Sequence, residues 1–381
     1  MRTALIFRYE LLPRSETFIQ SQAAALRRFK PCYTGVQRAS TSLVIPEDAV
    51  VLMRDDSMAE RIRRRVFLHT GQAPAFYNAL RAKKPALLHA HFAPDGATAL
   101  PLISVLDVPL IVTLHGYDVT SSEASLSKSF TGRLFLKRRK RLFKTAGLFV
   151  CISDFIRQRA IKAGFPESKL RVHYIGVDLT FYRPDTRVQR QQNLVLFVGR
   201  LVEKKGCRFL IEAMERVQQR MKEAELVVIG DGPLRQSLEI LGKAKGIAVQ
   251  FLGSQPSSVV RDWLSRARVF CVPSVTAGTG DSEGLPIVFT EAQAMGVPVV
   301  STMHAGIPEV VRHGETGLLA PERDQALLAE YLLRYLSDDT FWRAGSRSAC
   351  DWIQKRFDLS QQTAELEHLY AEVMSTHSAK E

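Results

Sequence analysis

Residues 194–221, LVLFVGRLVEKKGCRFLIEAMERVQQRM, contain a short apolar run, a polar loop and a helical pattern in succession. The run 194–198 is apolar at every position, which is typical of a strand buried on both faces of a parallel sheet. The loop 199–206 contains two glycines, and 206–221 has apolar side chains at helical spacing. The stretch therefore predicts one strand–loop–helix unit of a doubly wound sheet.

The same unit recurs along the chain. Further apolar runs of about four to six residues, which suit strands, lie at 3–7, 50–53, 86–90, 110–114, 148–152, 172–175, 226–229, 248–252, 269–272 and 297–301. So many strands exceed one small open sheet, and the polar segment 180–193 is typical of a linker. We therefore predict an α/β fold with two doubly wound Rossmann-like domains that face each other. The predicted bounds are 1–185, 191–355 and a C-terminal helix in 356–381 that packs back towards the first domain.

Charge is distributed unevenly over the 381 residues. The net charge is +13, and residues 1–190 hold 31 basic and 15 acidic side chains whereas 191–381 hold 21 and 24. A basic half indicates a polyanionic partner: nucleic acid, an anionic membrane surface or a phosphate-rich substrate. The apolar runs are too short to span a membrane, Arg8 comes too early for a secretory signal, and the five cysteines are scattered. We therefore expect a cytoplasmic protein.

Two loops of the second half carry candidate site residues. Arg200 and Lys205 lie beside a predicted helix N-terminus, where they could bind a diphosphate, although a solvated loop has the same composition. Glu283 and Glu291 flank a Gly-Leu-Pro turn at 284–286, where carboxylates and backbone N–H groups could bind hydroxyl groups. The alternative is a helix N-terminus with favourable acidic residues. The segment Gly230–Arg235 lacks the third glycine of a dinucleotide-binding loop, so it is weak evidence for a dehydrogenase.

The first half offers a histidine and two basic clusters. His115 follows the run 110–114, although lone histidines are more often structural, and no metal-ligand spacing joins it to His89 and His91. The basic residues concentrate at 61–65 and 133–144. The second cluster includes Arg138, Arg139, Lys140 and Arg141, and it suits either a membrane-surface helix or a solvated helix that packs on the sheet.

Several motifs occur together in order along the chain. They are LLPRSETFI at 11–19, TLHGYD at 113–118, VGRLVEKKG at 198–206, IGDGPLR at 229–235, E-x7-E from Glu283 to Glu291, and GIPEVV and GETGLL between 306 and 319. With these motifs the chain resembles the retaining, nucleotide-sugar-dependent glycosyltransferases of family 4, which have the two-domain GT-B fold. The start resembles enzymes that build bacterial exopolysaccharides such as colanic acid.

The resemblance implies a role for each matched residue. Arg200 and Lys205 would bind the donor diphosphate, Glu291 the ribose hydroxyls, and the backbone around Gly253 the base. The donor sugar would meet Glu283, the backbone of Gly284, Leu285 and Pro286, and His115 near its reacting face. Two positions depart from the family pattern: Ser15, a candidate helix cap, stands where relatives have paired glycines, and Ile175 replaces a frequent Asn.

The resemblance also implies chemistry and partners. We expect a retaining hexosyltransferase that uses a UDP- or GDP-sugar without a metal or other cofactor and without a covalent nucleophile. The acceptor would be a glycan, on a polyprenyl diphosphate at the inner face of the cell membrane, in cell-surface polysaccharide synthesis. Nucleic acid is not an expected partner. The alternatives are a basic nucleic-acid-binding protein, which would not need Glu283 and Glu291, and a GT-B phosphorylase or epimerase.

Overall fold

The computed structural model describes residues 1–13, 16–185 and 187–379. It divides into two compact units, Met1–Gly176 with Leu359–Glu381 (unit 1) and Val177–Asp358 (unit 2). Ser15, the predicted helix cap, lies outside the described residues, and the first helix begins at Thr17. Within the described ranges, no helix is both long enough and apolar enough to cross a membrane.

Unit 1 is built on a parallel seven-stranded sheet of order β3-β2-β1-β4-β5-β6-β7. Its strands are β1 Arg2–Leu11, β2 Phe29–Arg38, β3 Val50–Val51, β4 Pro85–His91, β5 Leu110–Leu114, β6 Leu148–Cys151 and β7 Leu170–Val172. Its helices are α1 Thr17–Ala24, α2 Met58–Thr70, α3 Pro74–Ala82, α4 Ala93–Leu106, α5 Tyr117–Thr120, α6 Glu123–Leu126, α7 Phe130–Thr145, α8 Asp154–Lys162 and α15 Leu359–Ser378. The strand order reverses beside β1, as in a doubly wound sheet.

Unit 2 is built on a parallel six-stranded sheet of order β10-β9-β8-β11-β12-β13. Its strands are β8 Leu194–Val198, β9 Glu225–Ile229, β10 Val249–Gly253, β11 Val269–Cys271, β12 Val299–Thr302 and β13 Gly317–Ala320. Its helices are α9 Cys207–Arg220, α10 Arg235–Ala244, α11 Ser257–Arg266, α12 Ile287–Ala294, α13 Gln325–Ser337 and α14 Asp339–Arg356. The predicted α/β class with two parallel Rossmann-like sheets is confirmed.

Two strands are absent from the sequence prediction. β2 contains Pro31 and Gly35, which interrupt its apolar pattern, yet it pairs with β1 along most of its length. β13 has only four residues and lies at the edge of its sheet. Pairing with a neighbouring strand, rather than composition, defines both strands.

The observed boundary between the units differs from the predicted one at 185. Residues from Val177 onward belong to unit 2 because the Val177 N–H donates to the Phe357 carbonyl at 2.8 Å. The helix α15 returns to unit 1, where the Glu367 carboxylate accepts the backbone N–H groups of 27–29 at 2.6–3.2 Å. This helix begins at Leu359, after the end of α14 at Arg356.

Candidate active site

The carboxyl edge of the unit 2 sheet is built from loops that approach each other closely. Gly206 has φ +64°, and a side chain there would collide with the Pro273 carbonyl. Gly230 has φ +140°, and a side chain there would collide with the Gly199 carbonyl. Glycine at these two positions lets the loops after β8, β9 and β11 pack backbone to backbone.

Lys205 and Glu283 form an ion pair at this edge. Lys205 Nζ lies 2.9 Å from Glu283 Oε1, and the two side chains are 14% and 7% exposed. Beside them, Lys204 Nζ lies 3.1 Å from Asp281 Oδ1. Burial acts to raise the pKa of Glu283, but the charges of Lys205 and Lys204 outweigh it and the pKa is lowered. Glu283 is therefore a carboxylate at neutral pH, and two predicted site residues are in direct contact.

A second pair lies behind Glu283 and was missed in the sequence. The Glu283 backbone N–H donates to His304 Nε2 at 3.3 Å, so the proton of this ring lies on Nδ1. His304 Nδ1 is 2.6 Å from Glu322 Oε1, and Glu322 also accepts the Thr276 N–H at 3.0 Å. These contacts fix the backbone that carries Glu283, and no local motif in the sequence marks His304 or Glu322.

Glu291 lies one turn into α12, which begins at Ile287. The Tyr182 hydroxyl donates a hydrogen bond to its carboxylate. Burial raises the pKa of Glu291 to about 7, and this hydrogen bond acts to lower it. Tyr182, which is buried, is a further residue that sequence reasoning missed because it precedes the whole unit 2 sheet in the chain.

The remaining predicted residues of unit 2 lie at neighbouring strand ends. The Arg200 side chain follows β8 and is exposed, and Gly253 ends β10, where its carbonyl accepts the Gly230 N–H at 2.8 Å. Gly284, Leu285 and Pro286 are buried immediately before α12. The sheet thus gathers the predicted residues of unit 2 along one edge, as expected for ligand binding in an open α/β sheet.

His115 belongs to unit 1, at the end of β5. Its Nε2 lies 3.0 Å from His91 Nδ1, and burial followed by the charge of Arg8 keeps the pKa of His115 well below its usual range. Its Nδ1 has no hydrogen-bond partner among the described residues. His89 bonds through both ring nitrogens, to Tyr370 and Thr113, at 2.6 Å each, which agrees with a structural role. No group of three potential metal ligands occurs within the part of the chain that the structure describes.

The basic helix α7 separates into bonded and exposed cations. Arg138 donates to the carbonyls of Ala97 at 3.3 Å and Leu68 at 3.0 Å, and so ties α7 to its neighbours. Arg139 pairs with Glu123, and Arg141 donates to Ser104 Oγ at 3.1 Å. One side of the helix presents exposed cations, which are Arg133, Lys137, Lys140, Arg141 and Lys144.

Comparison with known proteins agrees with this architecture. A model of group 1 glycosyl transferases matches residues 192–338, and a model of glycosyltransferase family 4 matches residues 46–181. The putative colanic acid biosynthesis glycosyltransferase WcaL of Escherichia coli (strain K12) is 35% identical over 256 residues, which are 66% of this chain and 61% of that protein. The putative teichuronic acid biosynthesis glycosyltransferase TuaC of Bacillus subtilis (strain 168) is 32% identical over 304 residues, 77% of this chain and 72% of that protein.

A solved structure extends the likeness of fold over nearly the whole chain. Alr3699/HepE of Anabaena, crystallised with UDP and glucose, has a TM-score of 0.76 and 18% identity, covering 97% of this chain and 100% of that one. With its two parallel Rossmann-like units, the protein therefore belongs to the GT-B fold class. The chain belongs to the family 4 glycosyltransferases.

Proposed function

We propose that the protein is a retaining glycosyltransferase that moves a hexose from a nucleotide diphosphate sugar to a glycan acceptor in cell-surface polysaccharide synthesis. The observation that carries this proposal is the ion pair of Lys205 and Glu283, which lies at the closely packed carboxyl edge of the unit 2 sheet. The name of the E. coli relative supports the polysaccharide pathway, and the UDP and glucose of the Anabaena complex support the type of donor.

The donor would lie on the strand ends of unit 2. Lys205 and Arg200 would stabilise the charge that develops on the departing diphosphate, and stabilisation of this kind usually contributes most to the rate. Glu291 would accept hydrogen bonds from the ribose hydroxyls in place of the one from Tyr182. Glu283, with the backbone of 284–286, would bind the hydroxyls of the sugar, and the backbone at Gly253 would meet the base. His115 of unit 1 is proposed as a further contact of the sugar.

Two features of the mechanism follow from these charges. Two cations beside the diphosphate can replace the metal ion that would otherwise neutralise it, so we propose metal-independent transfer. Glu283 is engaged with Lys205 rather than free to attack, so we propose retention without a covalent enzyme intermediate. Catalysis then comes from positioning and leaving-group stabilisation.

The basic half of the chain, residues 1–190, would bind the acceptor. We propose that the exposed cations of α7 attract the anionic inner face of the cell membrane, where a polyprenyl-diphosphate-linked acceptor would reside. Arg141 takes part through its exposed side chain and Arg139 is paired with Glu123, whereas Arg138 is assigned to packing because its guanidinium is bonded to two carbonyls.

The anomeric outcome tests the proposal. The protein is incubated with UDP- and GDP-hexoses in the presence of EDTA, and NMR identifies the anomer of the released or transferred sugar. We expect an α-linked donor to give an α-configured product, without loss of rate on chelation. A β-configured product would exclude retention, and a rate lost with EDTA and restored by Mg²⁺ would exclude metal independence.

A further inference from the structure

A large pocket opens at the carboxyl edge of the unit 1 sheet. Its volume is about 800 Å³, and it lies against the ends of β1, β2 and β3 and the first turns of α2. This is the edge at which open α/β sheets bind their ligands. The volume is within the range of small-molecule sites, so a phosphorylated sugar would fit it.

Arginine dominates the lining of this pocket. We call it the arginine pocket, after Arg38, Arg54, Arg61, Arg64 and Arg65, which line it together with the acidic residues Glu10, Asp55 and Asp56. Two of the carboxylates are already engaged: Asp55 accepts the Ser57 N–H at 2.9 Å, and Asp56 lies 3.5 Å from Arg61. Arg64 is held in place by Gln37 Oε1 at 2.7 Å. The net charge of the lining is positive, which favours an anion.

An apolar stripe on α2 adjoins the arginine pocket. Met58, Ile62 and Val66 are 71%, 55% and 41% exposed, and their spacing of four residues places them on one face of the helix. Met58 and Ile62 also line the pocket itself. Exposed apolar side chains in a row, bordered by arginines, are characteristic of a surface that meets an amphiphile.

We propose that the arginine pocket binds the phosphate or diphosphate group of an amphiphilic acceptor, and that the apolar stripe receives the start of its hydrocarbon chain. Arginine suits this ligand because its planar guanidinium can donate two parallel hydrogen bonds to phosphate oxygens. That the ligand is an acceptor rests on the proposed function, whereas the binding of an anion does not.

The test is calorimetric titration of the whole protein with saturating UDP or GDP, whichever binds more tightly, present to occupy the donor site. The probes are inorganic pyrophosphate and farnesyl diphosphate below its micelle concentration. In the pocket variant, Arg54, Arg61 and Arg65 become Gln. In the matched control, the exposed Arg27, Arg28 and Lys162 become Gln, which removes the same charge from the same unit. A stripe variant combines Met58→Gln with Ile62→Gln.

We expect the pocket variant to bind both probes at least tenfold more weakly, and the control variant to stay within twofold of wild type. The stripe variant should lose affinity for farnesyl diphosphate alone. Equal binding by the pocket and control variants would overturn the site, and a stripe variant with unchanged affinity would replace the lipid-linked ligand with a soluble phosphate. Failure of wild type to bind either UDP or GDP would count against the proposed function, while the comparison of variants would still decide the pocket.

Discussion

The Lys205–Glu283 pair of unit 2 and the arginine pocket of unit 1 differ in electrostatic character. At the unit 2 edge, Lys205 and Glu283 are paired and shielded at 14% and 7% exposure, whereas Arg200 is exposed. In unit 1 the arginine pocket holds open charges, as in Arg61 with Asp56 at 53% and 84% exposure. A shielded pair fixes geometry before a ligand arrives, whereas exposed charges attract ligands and are screened by salt. The difference fits the proposed roles, which are donor chemistry at unit 2 and capture of an anionic partner at unit 1.

Removing the shielded cation should have the largest effect. In Lys205→Ala the diphosphate would lose a cation in the transition state, so kcat/KM should fall by roughly 10²–10³-fold. Lys204→Ala is the matched control, because its Nζ pairs with Asp281 instead, and it should lose less than about tenfold. Steady-state transfer rates measure both variants. Equal losses in the two would remove the special role of Lys205.

The exposed cations of unit 1 should govern membrane attraction. Each is worth about 1 kcal/mol near an anionic surface, so changing Lys137, Lys140 and Lys144 to Ser should weaken vesicle binding by about 100-fold. Sedimentation with vesicles containing anionic lipid measures this, and added salt should weaken wild-type binding too. The control changes Lys222, Lys243 and Lys245 of unit 2 to Ser. If both variants bind alike, the exposed face of α7 is not the attracting surface.

Replacing His304, which holds the backbone of Glu283, should have a smaller effect than replacing the charged residues. His304→Ala removes the acceptor of the Glu283 N–H, so KM for the donor sugar should rise by about tenfold with free UDP affinity unchanged. His304→Gln offers an acceptor oxygen and should recover most of this loss. Kinetics in donor concentration, with UDP as a competing inhibitor, separate the two quantities. A loss in kcat alone, without rescue by Gln, would contradict a positioning role.

Titration of Glu291 should have the smallest effect, on stability. The pKa of Glu291 in the folded protein is about 7, above its ordinary value of 4.5. The folded state therefore favours the protonated carboxyl, and the stability that this form provides is lost as the pH rises through 7. Glu291→Gln cannot ionise, and its melting temperature should therefore gain a few degrees on wild type between pH 5 and pH 8. The exposed Glu223→Gln serves as control. A pH-independent difference would show that Glu291 is ionised without penalty.

The sequence could predict site residues that lie in short local motifs, but not those that the fold brings in from elsewhere in the chain. Glu283, Glu291, Arg200 and Lys205 lie in short motifs at strand ends, so local pattern together with the family resemblance could propose them. Tyr182, His304 and Glu322 reach the site only through the sheet and its loops, so no sequence spacing connects them.

The arginine pocket was harder still to predict. Its side chains come from three strand ends and a helix, and one of those strands, β2, carries Pro31 and Gly35 in place of a continuous apolar run. The sequence shows the basic cluster at 61–65, but it does not show which residues of other elements lie beside that cluster in the pocket. The cluster at 133–144 misled in one respect, because charge alone does not show that Arg138 is bonded inward.

Nucleotide binding tests the central claim most directly, because a ligand that binds only the folded protein raises its melting temperature. Wild type, Glu291→Ala and the pocket variant are melted with UDP-, GDP- and ADP-sugars. We predict that at least one nucleotide sugar raises the melting temperature of wild type and of the pocket variant by the same amount, and that Glu291→Ala loses the rise. The account would be contradicted by an equal rise in Glu291→Ala, or by no rise in wild type with any of the three.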